Sequence, residues 1–210
     1  MSLVKLNIAR GVTGTLPTSN YVAGISEVDQ FRLTTHLENP NNADITANLE
    51  RVDDASFSKV GTGMTLSSGI YTFPVTGLYM INVVSLVYVP SGNDGSCGVQ
   101  TYISSNSGSA YDIVAETDGG NNAGGQTFLT VTSQAFANVT NASNFRCKFQ
   151  ASSMASATLR GDTNGNVTTF AFLRLAGSQW LILVAKMESV LVVNEYRTVV
   201  KKHTYSSGCS

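Results

Sequence analysis

Two histidines (His36, His203), three cysteines (Cys97, Cys147, Cys209) and one oxygen-rich run, Asp162-Thr-Asn-Gly-Asn166, are where this chain of 210 residues could do chemistry. Neither histidine belongs to a nucleophile or zinc motif, and there is no Gly-x-Ser-x-Gly elbow, phosphate loop or His-Glu-x-x-His. The run at Asp162 alternates side-chain oxygens as a calcium loop does. However, Val167 stands where such a loop has its glycine and Leu173 where it has its bidentate glutamate, so the run reads as a turn. Asp53, Asp54 and Asp94 read as solvated turn residues. The cysteines are odd in number and share no metal-ligand spacing, which makes them small buried or surface thiols. The triplets at Asn138, Asn141 and Asn166 match glycosylation acceptors and are read as chance. The chemistry-bearing residues therefore predict no catalytic centre, no metal and no cofactor.

Composition narrows the partners. Hydrophobic residues make up 42% of the chain and charged residues only 13%, about half the usual share. Thirteen basic against 14 acidic side chains give a net charge of −1. A nucleic-acid binder draws its affinity from lysine and arginine on phosphates, and a surface-attached membrane protein from basic clusters; neither pattern is present. Disorder needs lower hydrophobicity or higher net charge. The longest apolar stretch, Trp180 to Val193, is broken by Lys186 and Glu188 and is too short to span a bilayer, so no membrane insertion is expected. The opening residues MSLVKLNIARG show no apolar run and no cleavage site, so we expect no secretory leader and synthesis in a reducing cytoplasm.

The elements that must carry these residues are strands. Between Lys59 and Arg146 there is no Lys, Arg or His, and the acids there are Asp94, Asp112, Glu116 and Asp118. A water-facing helix needs a charged stripe, which this stretch lacks. Turn clusters at Pro90–Gly95, Ser104–Ser109, Asp118–Gly125 and Gly161–Asn166 separate runs rich in Val, Ile, Thr, Tyr and Phe. In Asn144–Ala151, Phe145, Cys147, Phe149 and Ala151 share one face while Arg146, Lys148 and Gln150 share the other, a strand half in a core and half in water. Leu78–Val89 differs. Tyr79, Ile81, Val83, Val87 and Val89 line one face, and Leu78, Met80, Val84, Leu86 and Tyr88 line the other, broken only by Ser85 and Asn82. A strand apolar on both faces must be covered on both, here by a further copy or by the chain's own ends folding back. The reading is an all-β antiparallel sandwich over residues 29–178, an extended N-terminal arm over 1–28 and a C-terminal β extension over 179–210. No solenoid or propeller repeat is present.

The phrase Gly69-Ile-Tyr-Thr-Phe-Pro-Val-Thr-Gly-Leu-Tyr-Met-Ile81 resembles the central signature of the complement-type jelly roll, a relative of tumour necrosis factor. Pro74 ends one strand because it cannot donate to a ladder, Gly77 turns, and Leu78 opens the long core strand. Thr168-Thr-Phe-Ala-Phe-Leu-Arg-Leu175 resembles that family's closing strand. The phrases Ala9–Pro17 and Arg51-Val-Asp…Gly-Thr-Gly-Met64 are similar to phrases in bacteriophage tail-fibre and structural proteins.

The resemblance implies a jelly-roll homotrimer with aromatic side chains at the threefold axis, and on that ground Tyr79, Phe170 and Phe172 are the expected intersubunit contacts. It further implies a non-enzymatic phage virion protein, made in the host cytoplasm, that decorates the capsid or forms a short fibre. Its partners would be other virion proteins, gripped by the arm through Leu3, Leu6, Ile8 and Leu16. A host surface glycan would meet the loops Ser104–Ser109 and Asp118–Gly125. The alternative is a secreted lectin-like module of the same fold, and a third reading is a cupin-type enzyme, which two distant histidines cannot equip.

Overall fold

A stretch almost without charge has to sit in a sheet. The computed structural model describes residues 24–90, 94–121 and 125–178, and among these it contains strands and no helix. The arm at 1–23, with Leu3, Leu6, Ile8 and Leu16, and the extension at 179–210 lie outside the described residues. The strands are β1 (Val28–Leu33), β2 (Leu37–Glu38), β3 (Leu49–Arg51), β4 (Thr65–Ser67), β5 (Ile70–Thr72), β6 (Gly77–Val89) and β7 (Cys97–Ser104). They continue with β8 (Asp112–Ala115), β9 (Asp118–Gly119), β10 (Thr127–Val139), β11 (Arg146–Ser152), β12 (Thr158–Leu159) and β13 (Thr169–Ala176).

They form two antiparallel sheets. The first runs β3-β1-β13-β6-β10, with β12 and β2 continuing beside the upper half of β6, and the second runs β4-β5-β11-β7-β8, with β9 on β7. The non-local order, with the last strand β13 between β1 and β6, is that of a jelly roll. The expected closing strand therefore pairs centrally, and the expected break between β5 and β6 falls at Phe73–Thr76. The jelly roll starts slightly before the expected boundary, since Arg174 N–H already donates to the Glu27 carbonyl.

Local chemistry explains the tight joints. In the β4–β5 hairpin Ser68 and Gly69 both have positive φ (48° and 77°), the primed turn that matches strand twist. A side chain at Gly69 would also strike the Ile45 carbonyl. β11 behaves as its alternation predicts: Cys147, Phe149 and Ala151 are buried while Arg146, Lys148 and Gln150 are half-exposed.

Between the sheets lies an aromatic core. Tyr71 meets the rings of Phe31 at 5.0 Å and Phe172 at 5.1 Å, Phe73 meets Tyr79 at 4.9 Å, and Phe149 stacks on Phe170 at 4.3 Å. Tyr79, Phe170 and Phe172 are thus sealed within one chain's core. The expectation that they touch a neighbouring subunit is corrected: they point into the sandwich, so any neighbour meets the alternate residues of the same strands.

Two ion-pair networks pin the β1 side. Asp29, buried, accepts from Arg51 Nε at 2.8 Å, Arg51 Nη2 at 3.0 Å, Met64 N–H at 2.7 Å and its neighbour Gln30 N–H at 3.0 Å. Glu27 accepts from Gly63 N–H at 2.9 Å, and Arg51 lies 4.9 Å over the Phe31 ring. The Arg51…Met64 phrase thus encodes a loop clamped from below by two buried carboxylates. Arg32, whose side chain is 2% exposed, pairs with Glu50 at 2.7 Å, Asp53 at 2.6 Å and Asp54 at 2.8 Å. Asp53 and Asp54 are therefore not free turn residues but the outer wall of a buried guanidinium. Asp94 also departs from expectation: it is buried and accepts from the Ser156 N–H and hydroxyl.

Cys97 and Cys147 are buried free thiols. Burial, helped by Asp94 and Asp118, pushes Cys97 from 9.0 up to about 11, and burial raises Cys147 well above its ordinary value. The folded chain therefore holds these protons more tightly than the unfolded chain. Their contribution is fully present below about pH 9 and is lost as pH rises towards about 11. Tyr79, raised from 10.0 to about 12 mainly by burial, extends the loss upward. Urea midpoints measured against pH are expected to fall from about pH 9 onward. In a Cys209→Ser variant, an aromatic disulfide reagent should find no reactive thiol until the protein unfolds.

Candidate assembly surface

β6 has a clean two-step pattern. Its odd residues Tyr79, Ile81, Val83, Val87 and Val89 are buried between the sheets, while Leu78, Met80, Asn82, Val84, Leu86 and Tyr88 face outward and are only half-covered. The second apolar face expected from the sequence therefore exists, and the described residues leave it open.

The pairing registers extend that face sideways into rows. Val28, Leu173, Met80 and Phe136 lie in register across β1, β13, β6 and β10, forming an apolar belt. One step up, Gln30, Ala171, Asn82 and Gln134 form a row dominated by carboxamides. Near the far end Tyr88 pairs with Phe128, ring centroids 5.0 Å apart, and Arg160 lies 5.7 Å over the Phe128 ring. Gln134 Nε2 sits 2.9 Å from the Met80 sulfur, tying the carboxamide row to the belt. Phe128 and Phe136 are each 58% exposed, an unusual state for phenylalanine.

Large aromatic side chains on a long strand would ordinarily be assigned to the core. The signal against this is in β10 itself. Phe128 and Phe136 share their face with Thr130, Thr132 and Gln134, whereas Leu129, Val131, Ser133, Ala135, Ala137 and Val139 form the smaller, more aliphatic face that turns inward.

Along one long side of the sandwich the edge strands β8 and β10 approach each other without pairing, and Ile113 and Val114 on β8 are exposed. Both described chain ends leave the sandwich at one end: Ser26 and Glu27 bond to Arg174, and Arg174 in turn donates to the Thr76 carbonyl. The loop Ser104–Ser109 lies at this same end, bonded to Asn144, whereas Asp118–Asn121 lies at the opposite end beside Asp94. The two loops expected to meet a host glycan therefore lie at opposite ends of the sandwich. His36 sits between β1 and β2, and its Nδ1 accepts the Gly161 N–H at 3.1 Å. The run at Asp162 is a turn, as expected, closed by Asn164 N–H donating to Asp162. Among the described residues no group of three or more His, Cys, Asp or Glu side chains is placed to hold a metal ion, and no helix is long and apolar enough to cross a membrane.

No family model and no curated protein matches the chain. Solved structures do match in shape. Eiger TNF from S. frugiperda superposes with a TM-score of 0.52 at 12% identity, covering 72% of this chain and 94% of that one. Murine APRIL at pH 5.0 superposes with a TM-score of 0.51 at 12% identity, covering 71% and 98% respectively. The described residues form an all-β jelly roll of the kind found in tumour-necrosis-factor-family structures.

Proposed function

We propose that this chain is a non-enzymatic, homotrimeric surface protein of a bacteriophage particle, joined through the outer face of its first sheet. The observation that carries the reading is the outward set on β6, continued by Leu173 on β13 and by Phe128 and Phe136 on β10. At about 4.8 Å per strand and about 3.3 Å per residue, β10, β6, β13 and β1 offer a footprint on the order of 600 Å². Stable interfaces bury about 800 Å² per partner, so this face is of the right size for a neighbouring copy.

The unpaired edges of β8 and β10 offer the complementary surface. An edge of one copy on the face of the next is a head-to-tail contact, which closes into a ring when the rotation permits. The number three rests on the resemblance of Gly69–Ile81. The virion setting rests on the phrases Ala9–Pro17 and Arg51…Met64. Anchoring by one end is supported by the common exit of both described chain ends, which leaves the Asp118–Asn121 end to project. Weak contacts per trimer, multiplied over many copies, would then give firm attachment or host adhesion.

The test has two parts. Sedimentation of the isolated protein at micromolar concentration is expected to give a trimer, and a stable 22.2 kDa monomer would overturn the assembly. Mass spectrometry and labelled imaging of purified particles are expected to find the chain on the outer surface, and its absence there would overturn the virion role.

A further inference from the structure

The outer face of the second sheet is chemically unlike that of the first. Pairing sets two rows across it: Asp44, Gln150 and Gln100, and beside them Lys148, Tyr102 and Ile113. Side-chain bonds join the rows into one network. The Tyr102 hydroxyl lies 2.8 Å from Gln100 Oε1 and 3.1 Å from Gln150 Oε1, so both amide nitrogens point away from it along the row. Gln100 Nε2 donates to Glu116 at 2.5 Å, and Gln150 Nε2 donates to Asp44 at 2.9 Å. Lys148 Nζ donates to the other Asp44 oxygen at 2.7 Å. It also sits against two rings, 5.1 Å from the Tyr102 centroid and 4.9 Å from that of Tyr111. Water reaches the whole network: Asp44 and Glu116 are exposed and the others half-covered.

We infer that this face is a binding site for a neutral saccharide, with Tyr102, Tyr111 and the two glutamines as its contacts. Holding long polar side chains in one arrangement at a wet surface costs rotamer entropy and adds little stability. The same arrangement lowers the cost of binding a ligand that needs those groups already fixed. Each glutamine amide has a second hydrogen to offer such a ligand, Lys148 has two more, and Glu116 has a second oxygen. A sugar ring carries hydroxyls around its edge and C–H groups on its faces, so it calls for polar partners beside an aromatic surface. Tyr111, Tyr102 and Ile113, 51% exposed, supply that surface. Charge selects the neutral class: Lys148 and Arg146 on this face are balanced by Asp44 and Glu116, which leaves no net field to hold an anion. β7 runs from beside Asp118–Gly119 to the Ser104 loop, so the site lies between the two loops expected to meet a glycan. It gives the proposed host adhesion a ligand class and rests on that reading for the ligand's source. The site itself needs neither the trimer nor the virion.

The test applies the full-length protein to an array of neutral and acidic oligosaccharides, then titrates the strongest neutral one free in solution by NMR. Neutral oligosaccharides are expected to be retained. Tyr111→Ala, which removes a ring wall, should weaken the solution affinity by about tenfold or more. Tyr102→Phe keeps its ring but releases both glutamines, and should weaken it severalfold. Ser67→Asp, on the far edge strand of the same sheet, should bind as the wild type does. Phe136→Asp should keep the solution affinity and lose only avidity on the array. Urea midpoints near that of the wild type show that each variant keeps the fold. No retained oligosaccharide, retention of acidic ones alone, or wild-type affinity in either tyrosine variant would overturn the inference. Saccharide binding by a chain absent from particles would uphold the site and remove the virion role. A chain present on particles that retains no saccharide would do the reverse.

Discussion

Phe136→Asp is expected to turn the assembled protein into a folded monomer of 22.2 kDa. Phe136 ends the belt Val28–Leu173–Met80–Phe136 and is 58% exposed in the single chain. In the monomer a carboxylate there stays in water, so the fold should tolerate it, with thermal unfolding close to that of the wild type. Between copies the same carboxylate would be buried among Met80, Leu173 and the neighbour's apolar groups. Burying an unpaired charge costs several kcal/mol at each contact, and a ring repeats that cost at every joint. Sedimentation velocity across micromolar concentrations reads the outcome. Ser67→Asp, exposed on the outside of the second sheet, is the matched control and should leave the assembly intact. A Phe136→Asp protein that sediments like the wild type would remove the outer face of the first sheet from the joint.

The second large effect belongs to Asp29. Asp29→Ala should lower folding stability by about 1–3 kcal/mol, because it leaves the buried Met64 N–H unpaired, while Arg51, 37% exposed, can turn to water. It leaves the Arg51 guanidinium, held over Phe31, without its carboxylate, and it leaves the Met64 N–H without an acceptor. The loop at 61–64 loses its floor as well. Asp29→Asn keeps the shape and one acceptor and should cost clearly less. Urea unfolding of the monomeric Phe136→Asp background separates this loss from any change in assembly. A shift under about 1 kcal/mol would show that the clamp is dispensable.

The sequence made some of this legible and not the rest, for physical reasons. β11 could be read outright because its two faces differ in kind, aromatic and thiol against Arg146, Lys148 and Gln150. The β5–β6 joint was legible because Pro74 and Gly77 act through the backbone, independent of partners. β6 was half legible. Alternation showed two apolar faces, but parity alone does not say which one looks inward; the partners β10 and β13 decide that, and they come from distant sequence. The same ambiguity sent Tyr79, Phe170 and Phe172 to the subunit contact when they belong to the core. Asp29 and Asp94 could not be placed, since a carboxylate's burial depends on Arg51 or Ser156, far along the chain. Two-residue strands such as β2, β9 and β12 leave no periodicity to read.

The row Gln30, Asn82 and Gln134, set between the belt and the aromatic end, acts as a vernier on the proposed joint. Greasy surfaces alone adhere in many alignments, because contact between methyl and phenyl groups is non-directional. Carboxamides sealed between copies must find hydrogen-bond partners, and a sideways slip would strand them against hydrocarbon, so only one seating satisfies all three. Adhesion strength and alignment would then be set by different residues on the same surface, free to change separately.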